Sequence, residues 1–321
     1  MAYRLENGEP VADGLRRCAR EQVDTAIEEL TDGVTEDAVS AVHDARKALK
    51  KERSLLRLGR AAIDSSERRS EADAFRDVAQ RLGGMRDSDV MIEALDDLAD
   101  RFAGHVPKKS FTAIRRFLVA RRDRERQELT GSAVVDEAVG DLQSARLRIA
   151  DWRIRADGWS TVSDGLLRSY RRGRRAFEIA RAEPSSENLH AWRKRAKDIW
   201  YHFRVLRPIA PHSVKGQADE AHRLSDVLGD DHDLAVLRAT LLRSRGEIKA
   251  DVDPVIALIG HRRAQLQTEA FFLGERLYAE RPKAFRRRMR RYWHAWRAET
   301  SAIDAQRPAA STDAADTSAL T

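Results

Sequence analysis

Cysteine, proline and glycine are scarce in this 321-residue chain, with one, 8 and 17 copies. The single thiol, Cys18, has no partner for an internal disulfide. It sits among Leu15, Ala19 and Gln22 in a helical pattern, which reads as a packed, inert group and not as a nucleophile with an organised histidine beside it. No run approaches the ~20 apolar residues of a membrane span, so no membrane partner is expected. The first ten residues lack the basic and apolar regions of a secretory signal, and the expected location is cytoplasmic. No alternating apolar run bounded by hairpin chemistry occurs, which leaves no case for strands.

Apolar residues instead recur at intervals of three and four along most of the chain, and the expected fold class is all-α. Helices are predicted over 10–31, 36–61, 67–82, 87–103, 107–129, 133–150, 159–182, 186–208, 214–228, 231–244, 252–279 and 281–300. Thr35-Glu36-Asp37 and Ser185-Ser186-Glu187 read as caps. Pro107, Pro254 and Pro282 suit first turns, while Pro208 and Pro211 read as stops. From Ser301 the composition turns to Pro, Ala, Ser, Thr and Asp without an aromatic residue, and 301–321 is expected to be a disordered tail.

The chain also repeats itself. His43, Arg46, Lys47, Lys50 and Arg57 recur as His190, Arg193, Lys194, Lys197 and Arg204, in the shared pattern H-x-x-R-K-x-x-K with an arginine seven residues on. A second block, Leu82-Gly83 followed by Arg86-Asp87, recurs in nearly the same register as Leu228-Gly229 followed by His232-Asp233. Two blocks kept in order and spacing predict two similar helical bundles, 1–155 and 156–300, related by an approximate two-fold axis and facing each other across one site.

Stepped at about 100° per residue, His43, Arg46, Lys50, Arg53 and Arg57 form a basic stripe, with Ala45, Ala48, Leu49, Leu55 and Leu56 opposite. His190, Arg193, Lys197, Tyr201 and Arg204 do the same in the second copy, against Trp192, Ala196, Ile199 and Phe203. Residues 43–60 hold seven Lys or Arg against two acids, and 190–207 hold six against one, in a chain whose net charge is only +7. Like charges at these spacings repel one another, and an ordinary solvated face intersperses acids. Asp44, Glu52 and Asp198 are expected to lie off the stripes, so each stripe predicts an anion that neutralises it. Arginine forks and lysine point charges suit phosphate oxygens.

These two blocks resemble the CHAD family, the conserved histidine α-helical domain, over about residues 10–300. The resemblance implies two similar helical bundles enclosing a basic cavity or pore that binds inorganic polyphosphate; several members are associated with polyphosphate granules, so a place on granules and granule-associated partners are expected. By it, His43, Arg46, Lys47, Lys50, His190, Arg193, Lys194 and Lys197 would line the cavity, and Arg53, Arg57, Tyr201 and Arg204 would extend it. Arg86 and His232 occupy the other block, with Asp87 and Asp233 as caps or orienting partners, because a carboxylate facing phosphate is repelled. The E-x-E-x-K signature of the triphosphate tunnel enzymes fused to some members does not occur.

Nucleic acid is the alternative occupant, since a basic groove recognises any polyanion by releasing counterions. A metal-dependent phosphohydrolase is a weaker one, resting on Asp230-Asp231-His232-Asp233. Its spacing lacks H-E-x-x-H or a cysteine ligand set, so no catalytic residue, metal or cofactor is expected. An adaptor working on a granule surface is a third class, for which no partner patch is legible. His43 and His190 read either as ligand donors or as packed imidazoles. Further basic groups are Arg115, Arg116, Arg121 and Arg122, and Arg168, Arg171, Arg172, Arg174 and Arg175. Residues 281–297 hold eight Lys or Arg and no acid, and their stripe of Phe285, Met289, Tyr292, Trp293 and Trp296 reads as core.

Overall fold

The computed structural model describes residues 3–83, 87–128 and 132–306. All its named elements are helical, and the one β-type contact among the described residues is an isolated bridge between Ile63 and Ile154. In order these are α1 (Val11–Glu28), α2 (Val34–Leu58), α3 (Ser65–Arg81), α4 (Asp87–Arg101), α5 (Lys108–Glu128) and α6 (Ser132–Ala150). Then follow α7 (Trp159–Ala182), α8 (Ser186–Val205), a short 3-10 turn at Arg207–Ile209, α9 (Pro211–Arg243), α10 (Asp253–Leu277) and α11 (Pro282–Gln306).

Local chemistry sets the ends. A π turn at Glu29–Gly33 joins α1 to α2 without a loop, and the backbone leaves helical geometry at Asp37 (φ −146°, ψ 95°). The cap expected at Thr35 falls on Asp37, whose carboxylate accepts from the N–H groups of Val39 and Ser40 at 3.0 and 3.2 Å. Ser185 caps α8 as expected, accepting from Asn188 N–H at 3.2 Å. Pro211 opens α9 where a stop was expected; its missing N–H costs nothing in a first turn. The break predicted between 228 and 231 is absent, and α9 runs unbroken through Gly229. Helix α11 continues to Gln306, past the expected boundary at Ser301, and the remainder of the tail lies outside the described residues.

Helix α2 packs on α1, α3, α7 and α8, while α9 lies against α8, α10 and α4. The apolar faces read from the sequence are buried: Ala45, Leu49 and Leu56 in α2, Trp192, Ile199 and Phe203 in α8. The aromatic stripe of α11 is core, with Phe285 stacked on Tyr170 of α7 at 4.0 Å between ring centres. Cys18 is buried, and burial pushes its thiol up to about 12, so it stays protonated.

The approach of α7 to the end of α2 is a backbone contact. A Cβ on Gly165 would fall on the carbonyl oxygens of Leu58 and Arg57, so only glycine allows the two helices to meet there. Because those acceptors are main-chain atoms, no rotamer change relieves the overlap. Gly165→Ala is expected to destabilise the protein by about 2 kcal/mol or more, read as a lowered midpoint in chemical denaturation; an unchanged midpoint would mean that α7 does not sit this close.

Candidate functional site

The two motif helices cross with their basic sides turned to a common cavity of about 420 Å3. Helix α2 contributes Lys50, Arg53 and Arg57; α8 contributes His190, Arg193, Lys194, Lys197 and Tyr201. These eight are the predicted residues that the fold brings together.

Four lining residues were not predicted. Arg76 and Gln80 come from α3, which carries no motif, and Arg195 and Asp198 come from α8. Asp198, expected off the stripe, is in the cavity wall. Its carboxylate accepts from Arg57 Nη1 at 3.2 Å and pairs with Arg195 Nη1 at 3.0 Å, so it orients two guanidinium groups and is itself neutralised. The crossing is tied beneath it. Ser54 Oγ donates to the Asp198 carbonyl at 3.4 Å, and the buried His202 lies with Nε2 3.0 Å from the Ser54 carbonyl. A carbonyl only accepts, so Nε2 carries the proton and Nδ1, which has no partner among the described residues, is bare.

Other predicted residues lie around the cavity. His232 stacks on His190, ring centres 4.1 Å apart and 27° from parallel. Arg193 lies against Gly229, where a Cβ would meet its Nη2 at 2.9 Å, and Arg46 lies near Gly83, 3.9 Å from the corresponding point. His43, Arg46 and Lys47 stand on the preceding turns of α2, outside the lining; Lys47 pairs with Asp44 at 3.3 Å, yet its charge still acts on Lys197. Arg204 is turned away from the cavity, its guanidinium over the rings of Tyr3 and Trp200 at 5.7 and 5.5 Å, a cation–π seat that holds it elsewhere. Arg86 lies outside the described residues, and of Asp87 only the backbone that opens α4 lies within them. In the second block the buried carboxylate is Asp231, which binds Arg263 at 2.9 Å and Gln267 at 2.8 Å. Of the first-half arginines, Arg115 pairs with Asp96 and Arg122 with Asp89 and Asp123.

The electrostatics of the lining are those of cations crowded out of water. Burial first, then the neighbouring Arg57 and Arg76, holds the Arg53 guanidinium below its usual range. Burial and Arg193 do the same to Lys197. Burial and the adjoining His232, Lys194 and Arg193 depress His190 from 6.5 to about 4, and burial pushes the Tyr201 hydroxyl up to about 12. Among the described residues, Arg53, Arg193, Lys194 and Lys197 have no ion-pair partner, and the Nε atoms of Arg53 and Arg193 have no acceptor. The fold and site together define an all-helical protein with a half-enclosed, cation-lined cavity built on a repeated motif.

Comparison with known proteins bears on the family and the fold. The CHAD domain model matches residues 17–242, and this chain belongs to the CHAD family. Two uncharacterized proteins of Mycobacterium tuberculosis, MT2285 of strain CDC 1551 / Oshkosh and Rv2226 of strain ATCC 25618 / H37Rv, are each 29% identical over 261 residues. Each match covers 74% of this chain and 47% of the other, so the chain spans about half the length of the curated relatives it matches. The solved structure of PptA from Streptomyces chartreusis is similar in fold, with a TM-score of 0.57 at 14% identity, over 85% of this chain and 100% of that one. No helix among the described residues is long and apolar enough to cross a membrane.

His190 and His202 are both depressed from 6.5 to about 4, so the folded chain binds fewer protons than the unfolded chain between those values. Stability is therefore complete above about pH 6.5 and is lost as the pH falls toward about 4. Denaturation midpoints across that window are expected to decline, with a shallower decline in His190→Gln; the same slope in the variant would show that His190 is already charged in the fold.

Proposed function

We propose that this chain binds inorganic polyphosphate in the cavity between α2 and α8 and holds it without reacting on it. The observation that carries the reading is the convergence of Arg53, Arg193, Lys194 and Lys197, without acidic partners among the described residues, on one cavity shared by both motif helices. Crowding such cations in a half-buried wall is unfavourable, and a polyanion offsets it with charge and acceptor oxygens at once. Family membership and the resemblance of both blocks support the same ligand class.

The matching seats of Arg46 by Gly83 and of Arg193 by Gly229 support the reading of the chain as a duplication whose halves present equivalent arginines. Binding rather than catalysis fits the lining, because Asp198 is already held by Arg57 and Arg195 and has no free role as a base. A phosphate chain fits better than a nucleic acid. Of the two rings in the described lining, Tyr201 is 3% exposed and engaged by Trp200 and Tyr3, and His190 is already stacked on His232, an arrangement poorly suited to stacking bases. A protein that captures the polymer and leaves it whole suits a place on cytoplasmic polyphosphate granules, with granule proteins as partners.

The test is competition against labelled long-chain polyphosphate by duplex DNA, RNA and unlabelled polyphosphate at ~0.15 M salt. Only polyphosphate is expected to displace the label. The variant Lys50→Glu, Arg53→Glu, Arg193→Glu, Lys197→Glu is expected to lose at least about a hundredfold in affinity and to flatten the salt dependence. Equal competition by nucleic acid would make the cavity a general polyanion surface, and unchanged affinity in the variant would remove it from the site.

A further inference from the structure

A second basic hollow lies on the other side of α7. It encloses about 600 Å3 between Arg171, Arg174 and Arg175 of α7, the preceding Arg281, and Lys283 in the first turn of α11, with Glu178 as its carboxylate. Glu178 is paired with Arg174 at 3.1 Å, and Arg174 also donates to the Glu280 carbonyl at 3.2 Å. Arg171, Arg175, Arg281 and Lys283 are exposed, and none of them forms an ion pair with a described residue. The hollow faces the N-terminus of a 25-residue helix, whose backbone dipole favours an anion there. The first N–H groups of that helix have no acceptor within it; the Phe285 N–H is already bonded back to Arg281.

Arginines of α7 lie between this hollow and the cavity. Arg172 stands at the cavity edge, where the charges of Arg195, Asp198 and Arg57 act on it directly, together with that of Arg168. At about 100° per residue, Arg172, Arg168, Arg175, Arg171 and Arg174 succeed one another over roughly 160° of the circumference of α7. A helix is only about 10–12 Å across, so these arginines span the short way around it, with Glu178, paired to Arg174, in the same arc. Helix α11 lies beyond the span matched by the family model, which ends at residue 242, so one wall of the hollow comes from outside that match.

We infer that the α7–α11 hollow is a second anion-binding site, taking the part of a long polyphosphate chain that leaves the α2–α8 cavity and crosses α7 along its arginines. The inference rests on the polyphosphate reading of the cavity. Short chains would fill the cavity alone, whereas a long chain would engage both sites, with the second contact made at the effective concentration set by the first.

The experiment measures binding of tripolyphosphate and of long-chain polyphosphate to four proteins. These are the wild type, the cavity variant given above, the hollow variant Arg171→Ala, Arg175→Ala, Lys283→Ala, and a charge-matched variant, Arg238→Ala, Arg243→Ala, Lys249→Ala, on and just after α9. The hollow variant is expected to lose about tenfold on the long chain and less than about twofold on tripolyphosphate, with the charge-matched variant unchanged on both. Arg171→Lys, Arg175→Lys, which keeps the charge, is expected to bind the long chain like the wild type and guards against a folding effect. If the hollow variant matches the wild type on the long chain, or loses equally on both ligands, the second site is overturned while the cavity stands. If the cavity variant binds long chains as the wild type does, the polyphosphate reading of the cavity fails, and the path across α7 fails with it.

Discussion

Two positively charged helices packed against each other need a reason to stay together, and here much of it is one carboxylate. Asp198, itself largely buried, bridges the partly buried Arg57 of α2 and Arg195 of its own helix. Unscreened, the repulsion between neighbouring guanidinium groups in a half-buried wall would oppose the crossing. The Ser54 and His202 contacts below fix the rotation of α8 on α2, and the apolar faces supply the adhesion. The arrangement leaves Arg53, Arg193, Lys194 and Lys197 presented in one direction, so the same constraint that holds the crossing also shapes the cavity.

Much of this was legible in the sequence, and the parts that were not have a common origin. Helical period located the core faces of α2 and α8 and seven of the eight lining residues, because amphipathic spacing reports which side of a helix meets its neighbour, and the family resemblance added Lys194. Arg195 and Asp198 escaped notice because the lining wraps around more than half of α8, whereas a stripe drawn from His190 covers a narrower arc. Arg76 and Gln80 enter from α3, whose approach is decided by packing at a distance and leaves no local pattern. Arg204 obeyed the spacing but found the faces of Tyr3 and Trp200, rings contributed by residues 197 positions apart in sequence.

The break expected at Leu228-Gly229 shows why a glycine read alone misleads. Inside α9 it has helical backbone and serves as a flat seat for the Arg193 guanidinium, where a side chain would push the arginine off the helix. In the first half the matching Gly83 closes α3 by bonding back to the Gln80 carbonyl at 2.8 Å. One dipeptide thus ends a helix in one context and accommodates a cation in the other. The two motif helices therefore contribute unequally, α8 supplying more of the lining than α2 and resting on the long unbroken strut of α9.

The buried thiol has a use quite apart from stability. Cys18 is the chain's one cysteine, shut inside the first helix and held protonated, so the native surface carries no thiolate for an alkylating dye to find. A single cysteine placed on the rim of the cavity would be the sole point of chemical attachment, reporting through fluorescence or spin label on what enters, with no background to subtract.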